Sequence, residues 1–132
     1  MSVALLFISH QHMASHLLSL TESLHAERLS NSTVVEVPLD TPVDDILAYA
    51  QRQTDKLQVA DGMIIITDMF GGTPSNIAHT LAKRYRAPLI SGLNLPMLMR
   101  IYNYRDEPLP ILLDKAISGG QQGVMLHTSE EN

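Results

Sequence analysis

Two short polar segments carry side chains that could do chemistry together. Ser9-His10-Gln11-His12 follows the apolar run Val3–Ile8, and Asp68-Met69-Phe70-Gly71-Gly72-Thr73-Pro74 follows the apolar run Met63–Ile66. A neutral imidazole attacks phosphorus well near neutral pH, because unperturbed histidine titrates at about 6.5. One ring nitrogen must keep its lone pair for the attack while the other holds the proton. A carboxylate that accepts this proton fixes the tautomer and the ring orientation together. Asp68 is the candidate for that task and His10 for the nucleophile. Gly71, Gly72 and Thr73 offer a phosphate-binding cradle. Glycines let backbone N–H groups turn inward, and a helix opening beside Thr73 adds the positive end of its dipole. Pro74 removes no helical bond from a first turn. Phosphoryl transfer rests mainly on positioning and charge stabilisation, so such a cradle could work without Lys, Arg, metal or other cofactor. Ser9, Gln11, Met69 and Phe70 complete the loops around it.

Each part also has a plain structural explanation. His10 alone is a polar loop residue, Asp68 alone a turn former, and a single Gly-rich loop a weak phosphate signal. Their common position is what favours chemistry. His10, His12 and His16 also form a His-x-His-x-x-x-His cluster that could hold zinc and hydrolyse a substrate. That reading needs a carboxylate from elsewhere, with Asp68 the only obvious donor. His16 lies one helical turn after His12, the spacing of ordinary surface histidines, so no metal is assigned.

The rest of the chain alternates short apolar runs with amphipathic segments, the pattern of an α/β sheet. Strands are expected over Val3–Ile8, Val34–Val37, Gly62–Thr67 and Pro88–Ser91. The first lacks period-two alternation, which suits a central parallel strand covered on both faces. Helices are expected from Met13 to about Leu24, with Leu17, Leu20 and Leu24 on one face, and after Thr41-Pro42, with Thr41 as cap and Ile46, Leu47, Ala50 and Leu57 buried. A third opens at Thr73-Pro74 and buries Ile77, Ala78, Leu81, Ala82 and Tyr85. A fourth runs from Asn94-Leu95-Pro96 to about Arg105, and a last helix ends at Gly119-Gly120. With the second strand on one side of the first and the third on the other (order 2-1-3-4), the winding reverses between the first and third strands. Ligands bind outside the carboxyl ends of parallel strands at such a reversal, where His10 and Asp68 would meet.

Composition sets outer bounds. A chain of 132 residues, 45% hydrophobic and 17% charged, is one globular domain, here spanning 1–132 with a frayed tail over 128–132. A net charge of −5 without basic runs argues against nucleic acid. Cysteine is absent, which removes disulfides and thiolate chemistry. The apolar runs are too short to span a bilayer and no basic region precedes the first, so a cytoplasmic protein is expected.

Three motifs together carry a family resemblance. Val3-Ala-Leu-Leu-Phe-Ile-Ser-His10, Asp68-Met-Phe-Gly-Gly-Thr-Pro-Ser-Asn76 and Ser91-Gly-Leu-Asn-Leu-Pro-Met97 resemble the IIA proteins of the mannose/fructose/sorbose type in the bacterial phosphotransferase system. The resemblance implies a sugar-transport phosphotransferase component with a phosphohistidine at His10 and the imidazole held by Asp68. It implies HPr as phosphoryl donor, a IIB protein as acceptor, and contact with a membrane only indirectly, through a IIC/IID complex. It also implies a homodimer exchanging a C-terminal antiparallel edge strand, here Gly123–His127, and a site loop containing Asn94 and Pro96. Gln11 stands where the family commonly has Gly, which bears on the partner surface. The 132 residues stop at the IIA unit, so the acceptor is expected on a separate chain, or the protein is a regulatory phospho-switch without onward transfer. The phosphocarrier subunit of dihydroxyacetone kinases shares the early histidine but resembles Asp-Met-Gly-Ser after the third strand. A receiver domain would need acidic residues where Ser9-His10-Gln11 stands. The sugar is not legible, because a IIA unit touches phosphate and proteins only.

Overall fold

The computed structural model describes residues 2–129. Four parallel strands, β1 (Ala4–His10), β2 (Ser32–Val37), β3 (Met63–Thr67) and β4 (Leu89–Ser91), form one sheet in the order β2-β1-β3-β4. Five helices cover it: α1 (Met13–His25), α2 (Val43–Thr54), α3 (Thr73–Tyr85), α4 (Leu95–Asn103) and α5 (Leu109–Gln122). The fold is the single-domain α/β architecture expected from the sequence, with the predicted strand order.

The unbroken apolar run of β1 is explained by its place. Leu5 and Phe7 face a core shared with Ala14 and Leu18 of α1, Leu98 and Ile101 of α4, and Leu112 and Ala116 of α5. Leu6 and Ile8 face a second core with Ile46 and Ala50 of α2 and Ile77, Ala78 and Leu81 of α3. Successive strand side chains point to opposite faces, so a strand apolar at every position belongs between two helical layers.

Several local expectations change. The buried face of α1 is Ala14, Leu18 and Thr21, while Leu20 and Leu24 are exposed. Both sets have helical spacing, and the small Ala14 lets the helix lie close to the sheet. Thr21 enters the core with its hydroxyl donating to the Leu17 carbonyl at 2.6 Å. At α2 the cap is Pro42, whose carbonyl accepts from Asp45 and Ile46, so Thr41 lies outside the helix. Leu57 lies beyond the end of α2 but packs against the same core. Helix α3 opens at Thr73 as expected, with Gly72 as its cap. Helix α4 stops at Asn103, and α5 continues through Gly119 and Gly120 to Gln122. These glycines do not break α5, because α4 presses on them: a Cβ on Gly120 would sit 2.9 Å from Met97 Cε, and one on Gly119 would collide with Arg100.

Val124–Leu126 forms no strand within this chain, and its side chains are 82%, 67% and 84% exposed. The expected frayed tail falls partly outside the described residues. No helix among those described is long and apolar enough to cross a membrane.

Candidate active site

The site lies where β1 and β3 part. The two strands pair through Ile8 and Thr67, and just beyond that pair Asp68 turns its carboxylate toward β1. Asp68 Oδ2 accepts from the His10 amide at 2.9 Å and lies 2.8 Å from His10 Nδ1. Its Oδ1 accepts from the Met69 amide at 2.9 Å. An ionised carboxylate can only accept, so Nδ1 carries a proton, and in the neutral ring the lone pair is on Nε2. The Asp68 side chain is 4% exposed and that of His10 41%, which places a buried orienting group behind an accessible ring. Burial pushes the Asp68 carboxyl upward, but the amide and ring of His10 and the Met69 amide outweigh it, and the group is held below its ordinary value.

The expected phosphate cradle comes up to the same ring. Gly71 and Gly72 have φ of +101° and +88°, a region in which side chains are strained. A Cβ on Gly72 would lie 3.8 Å from His10 Nε2, so glycine keeps the space beside that nitrogen open. The first bond of the α3 ladder is Asn76 N–H to Gly72 carbonyl at 3.0 Å. The amides of Thr73 and Ser75 therefore precede the ladder, and Pro74 between them has none to leave unsatisfied.

The other candidates separate into distinct tasks. Ser9 is fully buried; its hydroxyl donates to the His10 carbonyl at 2.8 Å and accepts from the Ala14 amide at 3.0 Å, tying the end of β1 to the start of α1. Met69 and Phe70 are exposed on the loop, with Phe70 held edge-on against His79 at a centroid distance of 5.8 Å. Asn94 caps α4 by accepting from the Met97 amide at 2.9 Å and donates to the Gly120 carbonyl at 3.1 Å. Pro96 packs against Gly119 and Gly123. Both residues thus join α4 to α5.

His12 and His16 do not extend the His10 site. His12 Nδ1 lies 3.4 Å from Glu36 Oε1, and among the described residues no three His, Asp or Glu side chains are grouped as metal ligands. Glu36 is a neighbour of the site loops that sequence reasoning missed. It stands opposite Ser9 in the β1–β2 register and accepts from both the hydroxyl and the amide of Ser15, at 2.7 and 3.2 Å. It thereby caps α1 from another strand. Burial raises its carboxyl, but the Ser15 hydroxyl and amide and His12 outweigh this and lower it. Only the strand pairing brings Glu36 to α1, so no local signal could have marked it.

With this geometry in place, comparison with known proteins is decisive. The family model EIIA-man, described as "PTS system fructose IIA component", matches residues 4–110. The chain belongs to the mannose/fructose IIA family of the phosphotransferase system. This IIA chain is 27% identical over 127 residues to the "PTS system mannose-specific EIIAB component" of Escherichia coli K12, covering 94% of the chain and 39% of that relative. It therefore spans about two-fifths of the length of the curated relatives that it matches. Among solved structures, the mannose/sorbose-specific IIA subunit of Enterococcus faecalis superposes with a TM-score of 0.82 at 22% identity, covering 97% of this chain and 96% of the other. A phosphotransferase EIIA component of Streptococcus agalactiae gives 0.76 at 26% identity over 94% and 96% of the two chains. The IIA protein associated with a fucose utilisation operon of Streptococcus pneumoniae gives 0.79 at 21% identity, with both chains covered in full.

Proposed function

We propose that this IIA component is a cytoplasmic phosphocarrier in which His10 Nε2 accepts a phosphoryl group from phosphorylated HPr and passes it to a separate IIB protein. The observation that carries the reading is the His10–Asp68 pair, with Nδ1 bonded to Oδ2 at 2.8 Å and Nε2 beside Gly72. In loading, the P–N bond to HPr breaks as the bond to Nε2 forms; in onward transfer the P–Nε2 bond breaks as phosphorus bonds to the IIB acceptor. In both steps the Nδ1 proton stays on the imidazole, shared with Asp68. The positive charge that builds on the ring is balanced by the ionised carboxylate. The incoming phosphoryl oxygens are met by the amides at the start of α3. Thr73 is exposed at that terminus and adds its hydroxyl.

The same reading takes the protein to be a homodimer whose C-terminal segments are exchanged. Exposed Val124-Met125-Leu126 supports it, as does the groove beside the unpaired edge of β4, lined by Ile90, Ser91, Gly92, Ile117, Gly120 and Gln121. An exchanged strand would cover both.

The test is intact-mass analysis after incubation with phosphoenolpyruvate, enzyme I and HPr. Wild type should gain one acid-labile phosphoryl adduct, lost in His10→Ala. An adduct that persists in the mutant would overturn the assignment of His10.

A further inference from the structure

Gln11 takes no part in the His10–Asp68 pair. It lines a neighbouring cleft of about 530 Å³ between the start of α1, the edge strand β2 and the first turns of α2. Val34, Ile46 and Tyr49 give the cleft apolar walls, while Glu36 and Asp45 bring two carboxylates to it. Among the described residues neither carboxylate is ion-paired with Lys or Arg; Glu36 is bonded to Ser15 and His12. Arg52 lies over the Tyr49 ring, 5.9 Å from its centroid, without lining the cleft.

The loops at this end of the molecule carry acidic residues and no Lys or Arg. None of the nine Lys and Arg residues lies in the loops that leave the carboxyl ends of the strands, at 11–12, 38–42, 68–72 and 92–94. Asp40 and Asp68 do lie there, and Asp44 and Asp45 follow in the first turn of α2. A protein that delivers a phosphoryl group to His10 must cover this surface. The cleft opens within it, one residue along the chain from the nucleophile.

Resting on the carrier reading above, we propose that the cleft receives an arginine side chain from the protein that donates the phosphoryl group, and that Gln11 shapes the fit. Arginine matches the lining in each part. Its aliphatic stem packs along Val34 and Ile46, its guanidinium reaches the Glu36 and Asp45 carboxylates, and its planar face meets the Tyr49 ring. A cation supplied by the partner complements strand-end loops that hold no Lys or Arg of their own. Such complementarity governs encounter rate and partner choice more than the chemical step. The cleft is thus a docking pocket beside the catalytic pair, and its residues touch neither phosphorus nor His10 Nε2.

Single-turnover and steady-state phosphorylation by phosphorylated HPr, at low and high salt, test the proposal. Asp45→Lys should raise KM by about tenfold or more at low salt, with kcat within about twofold of wild type. Asp44→Lys makes the same charge change at the same helix terminus but outside the cleft, and should shift KM by less than about threefold. Tyr49→Ser, which leaves the helix terminus and its charge untouched, should raise KM without changing kcat and decides the matter if Asp45→Lys does not fold. Phosphoramidate, a donor with no protein surface, should label all these variants as it labels wild type. Wild-type KM in both cleft variants, or equal losses in Asp44→Lys and Asp45→Lys, would overturn the docking pocket. A folded wild type labelled by neither donor would overturn the carrier reading instead.

Discussion

At the residue scale, the proposed chemistry turns on the location of one proton. Asp68 Oδ2 lies 2.8 Å from His10 Nδ1, and Nε2 faces Gly72. Asp68→Asn keeps the shape but loses the charge that steadies the ring as it becomes cationic, and an amide nitrogen can donate to Nδ1 and favour the wrong tautomer. Phosphorylation should slow on the order of 10²–10⁴-fold, measured as the single-turnover rate from phosphorylated HPr. The same substitution has a pH signature. The Asp68 carboxyl lies below its ordinary value in the folded protein, because the His10 and Met69 donors outweigh burial. Its stabilisation is therefore complete above the unfolded carboxylate value of about 4 and is lost as pH falls toward the lower folded value. Thermal melts of wild type and Asp68→Asn should differ most at neutral pH and converge below pH about 4. A constant gap down to pH 2 would contradict this.

At the element scale, the two loops of the candidate site are anchored by elements far apart in sequence. Ser9 and Glu36 cap α1 from β1 and β2, where the local cap residue His12 offers no side-chain bond. The helices on the opposite side of β4 depend on close approach. A Cβ on Gly119 would collide with the Arg100 side chain, and one on Gly120 would crowd Met97. Gly119→Val should destabilise the fold by about 1–3 kcal/mol through overpacking, only slightly offset by the better helix propensity of Val over Gly. Denaturant unfolding would measure the loss, while the folded fraction should still be phosphorylated at the wild-type rate. This pair of readouts separates packing from chemistry.

At the scale of the whole molecule, one chain leaves two features unmatched: a bare β4 edge and an exposed apolar Val124-Met125-Leu126. Exposed apolar strands and open edges are both liabilities that association removes. Truncation after Gly123 should convert the proposed dimer to a monomer in sedimentation experiments and leave the His10–Asp68 geometry in place. A truncated protein that remains a dimer would show that another surface holds the protomers together.

The sequence by itself determined the four strands, their parallel nature and the pairing of His10 with Asp68. The reasons are local or topological: an apolar run without alternation requires cover on both faces, and a winding reversal brings the ends of the first and third strands to one crevice. The sequence also marked Gly71-Gly72 as a loop whose amides can turn inward, and the structure gives both glycines positive φ. Tertiary structure alone decided the rest. Which face of α1 is buried depended on how close the helix could approach the sheet, and Leu17, Leu20 and Leu24 have the same period as Ala14, Leu18 and Thr21. Gly119-Gly120 reads as a helix stop in isolation and became a packing surface only because α4 lies against it. Glu36 and Gln11 gained their tasks from the β1–β2 register and the placement of α2, contacts between residues distant in sequence that no local pattern encodes.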